Sequence, residues 1–274
     1  MPLLSRLREQ GRDMRLTGFL AAIALGLALF AGPALANDWK TIRIVTEADY
    51  APFNYLDPQD QPGGFDIDIA KALCAKMEAT CSIVAEDWDS LIPALNAGKY
   101  DAIVSSMPIT AERRRQVAFT NKYYNRPSSF MARKDSKIAA WDAAGLKDKV
   151  VGVQGDTAQA AFLQSEIQPG GAQIKLYQTQ DEANADLATG RLDAIFADKI
   201  VLSNWLSRPD SVCCDVKADV DLVKYAKYFG AGAGIAVRRN DTDLAEKLNK
   251  AIADIVADGT YKTINDKYFP FSIY

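Results

Sequence analysis

YDAIVSSMPITAERRR, residues 100–115, opens with an apolar run, Ala102-Ile103-Val104, of the length and composition of a buried strand in a parallel sheet. It then turns through Ser105, Ser106 and Pro108 and restarts as a predicted helix. Thr110 stands at the N-cap position, with Glu112 and Arg113 in the first turn. In an open α/β sheet, ligands bind in the loops past the carboxyl ends of the strands. A loop there that offers hydroxyls, amide N–H groups and an arginine fork suits a carboxylate. On this stretch alone, a surface helix whose arginine is merely solvated explains the pattern equally well.

Working outward, the same phrase returns further along. Gly98-Lys99-Tyr100-Asp101-Ala102-Ile103-Val104 and Gly190-Arg191-Leu192-Asp193-Ala194-Ile195-Phe196 share a helix-ending glycine, a base, an apolar residue, Asp-Ala-Ile and a further apolar residue. They lie about 90 residues apart, too far for a solenoid repeat. Two lobes of the same make explain the recurrence.

Before the first copy the chain reads β-α-β-α-β. Thr41–Val45 is a β-branched strand, Phe65–Met77 a helix with Ile67, Ile69, Ala70, Leu73 and Met77 on one face, and Cys81–Ala85 a second strand. Leu91–Leu95 is a helix closed by Gly98. A second βα series follows Ser129–Ala132. Its strands are Val150–Val153, Gln173–Tyr177 and Ala194–Ala197, and its helices Ala158 to about Ser165, Asp181–Thr189 and Lys199–Leu206. This is the grammar of a doubly wound sheet. Gly230-Ala231-Gly232-Ala233-Gly234 precedes a strand, not a helix, and lacks the dinucleotide spacing, so it predicts a hinge and no cofactor. Thr242–Ala257 and Thr260–Tyr268 are closing helices.

Composition narrows the function. Residues 1–36 carry Arg6, Arg8, Arg12 and Arg15, the apolar run Leu16–Gly32 and the triplet Ala34-Leu35-Ala36, the pattern of a signal peptide cut after Ala36. Met14 offers a shorter start, and the absence of a cysteine after the apolar run argues against a lipid anchor. The expected mature chain is 238 residues, with 28 basic against 33 acidic side chains and a net charge of −5. That length suits two lobes, and an acidic exported chain is a poor partner for nucleic acid or anionic membranes. With no histidine anywhere, Ser-His and Cys-His nucleophile pairs and histidine metal sites are excluded. Four cysteines in an exported chain point to disulfides, and their spacing does not suit a metal. Cys74 and Cys81 can form a short bridge. Cys213-Cys214 can be a vicinal disulfide, two thiols, or an intermolecular pair.

Seven segments in order, TEADYAPF, GFDIDIAKALC, DWDSLIPAL, YDAIVSSMPIT-x₂-R, VGVQGDT, GRLDAIFAD and DGTYKTINDKYF, give the chain from Ile42 to Tyr274 its resemblance. It resembles the periplasmic amino-acid-binding proteins of ABC importers, solute-binding protein family 3, nearest to the lysine/arginine/ornithine-, histidine- and opine-binding branch. The resemblance implies an α/β, two-lobe periplasmic-binding-protein fold of type II, with two hinge strands. Lobe 1 would span residues 37–124 and 231–274, and lobe 2 residues 128–229, with hinges near 125–127 and 230–232. It implies a periplasmic monomer that binds one polar, cationic amino acid or opine and serves membrane permease subunits, without cofactor or metal. By position, Arg113 would clamp the α-carboxylate, helped by Ser105, Ser106 and the N–H of Thr157. Asp198 would take the α-ammonium, while Tyr50 and Trp88 sandwich the ligand's stem.

Three positions depart from the branch. Glu47 replaces the Asp that receives a distal ammonium, Pro108 replaces a Ser or Thr, and Ala158 replaces a polar residue. Glu47, Asp49 and Glu86 near the predicted mouth favour a positive side chain. Two other functions fit the same fold: a periplasmic dehydratase of cyclohexadienyl acids, as a few relatives are, and a sensory module that presents its ligand to a membrane partner.

Overall fold

The computed structural model describes residues 38–274, so the expected signal peptide and its cleavage site lie outside the described residues. The first sheet begins with β1 (Thr41–Thr46). A small hairpin sheet follows, β2 (Asp49–Tyr50), β3 (Asn54–Leu56) and β4 (Pro62–Gly63). The helix Phe65–Lys76 leads to β5 (Thr80–Ala85), and the helix Leu91–Asn96 leads to β6 (Ala102–Ile103). After β7 (Ala118–Tyr124) the chain passes to a second sheet with β8 (Ser128–Arg133). There β9 (Val150–Gln154), β10 (Gln173–Tyr177), β11 (Ala194–Asp198) and β12 (Cys214–Asp219) follow. The chain returns through β13 (Ala233–Val237) and ends in the helices Thr242–Ala257 and Thr260–Tyr268.

The two sheets have the same construction. The first runs β5-β1-β6-β13-β7 and the second β10-β9-β11-β8-β12. In each, three parallel strands stand in the order second, first, third, and then an antiparallel strand joins the third. The repeated phrase opens the third parallel strand of both sheets, and its aspartate has the same task in each. Asp101 accepts a hydrogen bond from the N–H of Arg43 at 3.0 Å, and Asp193 from the N–H of Val150 at 2.8 Å. Each carboxylate thus ties the entry of the third strand to that of the first.

Apolar strands buried on both faces explain the cores. In β11, Ala194 and Phe196 face one cluster with Phe130, Val151 and Phe162, while Ile195 and Ala197 face another with Leu187, Leu202 and Trp205. In β1 and β6 the alternation is the same, Ile44 and Ala102 on one side, Val45 and Ile103 on the other. Burial at about 25 cal/mol per Å² of apolar surface makes these four clusters the main source of stability.

Two disulfides are formed. Cys74–Cys81 ties the first long helix to β5, and Cys213–Cys214 is vicinal at the start of β12, which selects among the three states open in the sequence. The expected helix at Thr110 is corrected to a single 3-10 turn, Arg113–Arg115. Thr110 still caps it, its hydroxyl accepting from the Arg113 N–H at 3.2 Å, but the chain is drawn back into β7 three residues later. β7 and β12 went unpredicted because Asn121-Lys122 and Asp215…Lys217 break their apolar patterns; both are edge strands with one neighbour each.

Candidate functional site

The carboxyl ends of the parallel strands of both sheets supply the loops of one site. Glu47 and Ala48 follow β1, Ser105 and Ser106 come two residues after β6, Gly155-Asp156-Thr157 follow β9, and Asp198 ends β11. Ala48, Ser106 and Asp156 hold left-handed backbone at φ 63°, 52° and 53°. Such non-glycine residues cost about 1–3 kcal/mol each and persist where surrounding contacts impose them. For Ser106 the contacts are visible: its N–H donates to the Tyr123 hydroxyl at 3.1 Å and its hydroxyl to Asp66 at 2.9 Å.

Glu47, Tyr50, Trp88, Ser105, Ser106, Pro108 and Thr157 come together around one narrow polar cavity. Arg126, Gln154 and Gln159 complete its wall and were not singled out in the sequence. Arg113 stands in an adjoining wider cleft that shares Trp88 and Thr157 as walls. Asp198 is fully buried and lies behind Arg126, whose Nε donates to it at 3.2 Å. The sequence expectation put Asp198 at the ligand surface; the resident guanidinium and its own helix cap cover it. Its other oxygen accepts from the Ile200 N–H at 2.9 Å.

Contacts from one sheet to the other meet here. The Glu47 carboxylate accepts a hydrogen bond from the Gln154 amide, and its N–H donates to Ser105 Oγ at 2.9 Å. Trp88 Nε1 and Arg113 Nη2 both donate to the carbonyl of Asp156, at 3.1 and 2.8 Å. The Arg113 guanidinium also lies 5.0 Å from the Trp88 ring centroid, a cation–π distance. Arg113 Nη1 is buried and has no hydrogen-bond partner among the described residues. Arg126 Nη2 donates to the Tyr50 hydroxyl at 3.2 Å.

Burial sets the protonation of these groups. It pushes the Glu47 carboxyl up to about 8, against the Gln154 hydrogen bond, so the acid is largely neutral at pH 7. Burial, with Arg126 nearby, lowers the Arg113 guanidinium to about 10. Burial also works against the charge of Arg126, yet Tyr50, Tyr124 and Asp198 hold it above the ordinary arginine range. Asp66 is pushed up to about 6 by burial, although Tyr123, Asn54 and Ser106 all donate to it.

Thr157 caps the helix Ala158–Phe162, its hydroxyl accepting from the Ala160 N–H at 3.0 Å and donating to the Gln154 carbonyl at 2.8 Å. Ala158, the third departure, is buried in the wider cleft. Pro108 bridges to Ala233, and the flanking Ile109 N–H and Met107 carbonyl make the hydrogen bonds to Gly232 and Gly234. The missing N–H of Pro108 therefore leaves no gap in this pairing. Glu86 pairs with Lys99 and Tyr100 and is not among the residues that line either cavity. Asp49 faces a neighbouring cleft with Glu47, Asp181 and Arg208. No group of three His, Cys, Asp or Glu residues among those described could hold a metal, and no described helix is long and apolar enough to cross a membrane.

Known proteins resemble this chain in sequence and in fold. The L-arginine-binding protein of Pseudomonas aeruginosa is 44% identical over 251 residues, covering 92% of this chain and 96% of that protein. The histidine-binding periplasmic protein of Salmonella typhimurium is 42% identical over 257 residues, covering 92% and 98%. Among solved structures, an ancestral arginine-binding protein bound to arginine superposes with a TM-score of 0.78 at 31% identity, covering 85% of this chain and all of that one. Residues 42–271 match the bacterial extracellular solute-binding proteins, family 3, and the chain belongs to that family, with its two-lobe type II periplasmic-binding-protein fold.

Proposed function

We propose that this chain captures a polar, cationic amino acid outside the cytoplasm, of the arginine, lysine, ornithine or histidine kind or an opine built on one, and delivers it to the permease subunits of an ABC importer without changing it. The names of the relatives support the class of ligand. The observation that carries the reading is Arg113, a buried guanidinium with one nitrogen unpartnered beside a tryptophan face. A buried donor without a partner is costly, and a bidentate carboxylate is the group that satisfies a guanidinium fork. Ser105, Ser106 and the Thr157 N–H would complete the cradle, Tyr50 and Trp88 would hold the stem, and Glu47 would receive the cationic end. Pro108 would add an apolar wall.

The lobes in this reading are residues 37–124 with 231–274, and residues 128–229, hinged near 125–127 and 230–232. Groups from both lobes grip one ligand, so binding favours the closed arrangement. The hydrogen bonds of Trp88 and Arg113 to Asp156, and of Gln154 to Glu47, are contacts that closure makes. A site without histidine supports binding without chemistry.

The test is isothermal titration of the mature chain, stripped of ligand and refolded, against arginine, lysine, ornithine, histidine and glutamine. Tight heat with a cationic member and little with glutamine is the expected result. No heat with any cationic member would overturn the proposal.

A further inference from the structure

Asp66 is the second residue of the helix Phe65–Lys76 and is fully buried. It is not among the residues that line the narrow cavity, yet three hydrogen bonds lead from it towards the loops that do. A carboxylate offers only acceptor lone pairs, so every neighbour must turn a donor towards it. Asn54, on β3, donates its amide N–H to Asp66 at 2.8 Å, which aims its own oxygen at the Ala48 N–H, 2.9 Å away. Tyr123, on β7, donates its hydroxyl proton to Asp66 at 2.7 Å, which leaves its oxygen to accept from the Ser106 N–H at 3.1 Å. The Ser106 hydroxyl donates to Asp66 directly at 2.9 Å.

Both chains of hydrogen bonds end on left-handed residues, Ala48 directly after Glu47 and Ser106 directly after Ser105. Neither is a glycine, so each needs contacts from outside to hold it. The Glu47 N–H donates to Ser105 Oγ at 2.9 Å, which joins the two loops. We infer that Asp66 is a positioning residue for the ligand site. As the shared acceptor, it aims Glu47 through Asn54 and Ala48, and it fixes Ser105 and Ser106 through Tyr123. Burial raises its carboxyl only to about 6, so at pH 8 it is ionised. An asparagine there would keep the shape but turn its NH2 end either to Tyr123 or to Asn54 and Ser106. Donor would then face donor, and one of the two chains would have to break. Asp66 also feels the charge of Arg126, so a fair test includes variants that leave the carboxylate in place.

This inference rests on the capture reading, and the experiment separates the two. Ligand-stripped wild type and variants are titrated at pH 8 with arginine, lysine and citrulline, the neutral isostere of arginine, well below their unfolding temperatures. The readout is the affinity for the better-bound cation and its ratio to the affinity for citrulline, which a loss of stability alone does not move. Asn54→Ala keeps the Asp66 carboxylate and frees Ala48; the ratio should fall at least about fivefold, as the loss of one net hydrogen bond allows. Tyr123→Phe frees Ser106 and should weaken cation and citrulline alike, again about fivefold, with the ratio kept. Asp66→Ala should show both losses, and adding Asn54→Ala to it should lower the ratio no further, since both break one chain. If Asp66→Ala does not fold, Asp66→Asn replaces it and must lose affinity or ratio. Asp66 variants with wild-type affinity and ratio, Asn54→Ala with the wild-type ratio, or Tyr123→Phe with wild-type affinity overturn the inference and leave amino-acid capture standing. A wild type that binds citrulline as tightly as either cation also overturns it, because Glu47 then reads no charge. A wild type that binds none of the three overturns both.

Discussion

Glu47 offers a test in which a buried carboxyl reports on the ligand's charge. Burial lifts its proton affinity from the ordinary 4.5 to about 8. Below pH 8, then, the unliganded site holds Glu47 mostly protonated. A ligand whose guanidinium pairs with Glu47 needs the carboxylate, so binding must expel that proton. Affinity for arginine should therefore rise by about tenfold per pH unit up to pH 8 and level off above it. Between pH 6 and pH 8 the gain is about 50-fold, or about 2.3 kcal/mol, because half of the acid is still protonated at pH 8. Titration calorimetry in two buffers of different ionisation enthalpy should show close to one proton released per arginine near pH 6.5. Citrulline, the neutral isostere, should release none. In Glu47→Gln the pH slope should vanish, with arginine binding weakened chiefly near pH 8. No proton release with arginine, or the same slope in Glu47→Gln, would refute the pairing. The same shift has a stability sign: between about 4.5 and 8 the native chain holds a proton that the unfolded chain has lost. Its contribution is full below 4.5 and declines as pH rises through 8.

Arg113→Ala should weaken amino-acid binding by about 3–5 kcal/mol in the same calorimeter, because it leaves the ligand carboxylate buried and unpaired; near-wild-type affinity would remove Arg113 from the site. Gly230→Ala should destabilise the chain in urea by more than the roughly 1 kcal/mol expected for a left-handed alanine in open space. At Gly230, φ is +66° and an added Cβ would fall 2.0 Å from the Ile109 carbonyl oxygen, whereas at Gly190, φ +77°, it would meet nothing within 4 Å. Equal losses in Gly230→Ala and Gly190→Ala would contradict a close approach at the second crossing.

Much of the architecture was legible in the residues alone. Apolar runs such as Ala194-Ile195-Phe196-Ala197 are strands buried on both faces whatever surrounds them, and the closing helices begin and end where their periodicity and glycines say. The repeated Asp-Ala-Ile phrase marked two like halves, and its aspartates tie first to third strand in each. The edge strand β12 was not legible, because one-sided pairing asks little of its sequence. The helix at Thr110 was over-extended, since the pull of β7 on the following residues does not show in the cap that precedes it.

The site divides in the same way. Local motifs named Arg113, Ser105, Ser106, Trp88, Thr157 and Glu47, and these gather from loops at like strand ends because a doubly wound sheet puts them there. Arg126 carried no such signal. In the sequence it is one basic residue before a proline; its partners Tyr50 and Asp198 lie 76 residues before it and 72 after it. The succession of most elements along the chain, their hydrophobic faces and their loop chemistry are local properties, so the sequence by itself determined them; the strand order within each sheet is not local. Which buried charge neutralises which depends on distances set by both sheets and the crossing between them. Only the tertiary structure could place a guanidinium between Asp198 and the cavity.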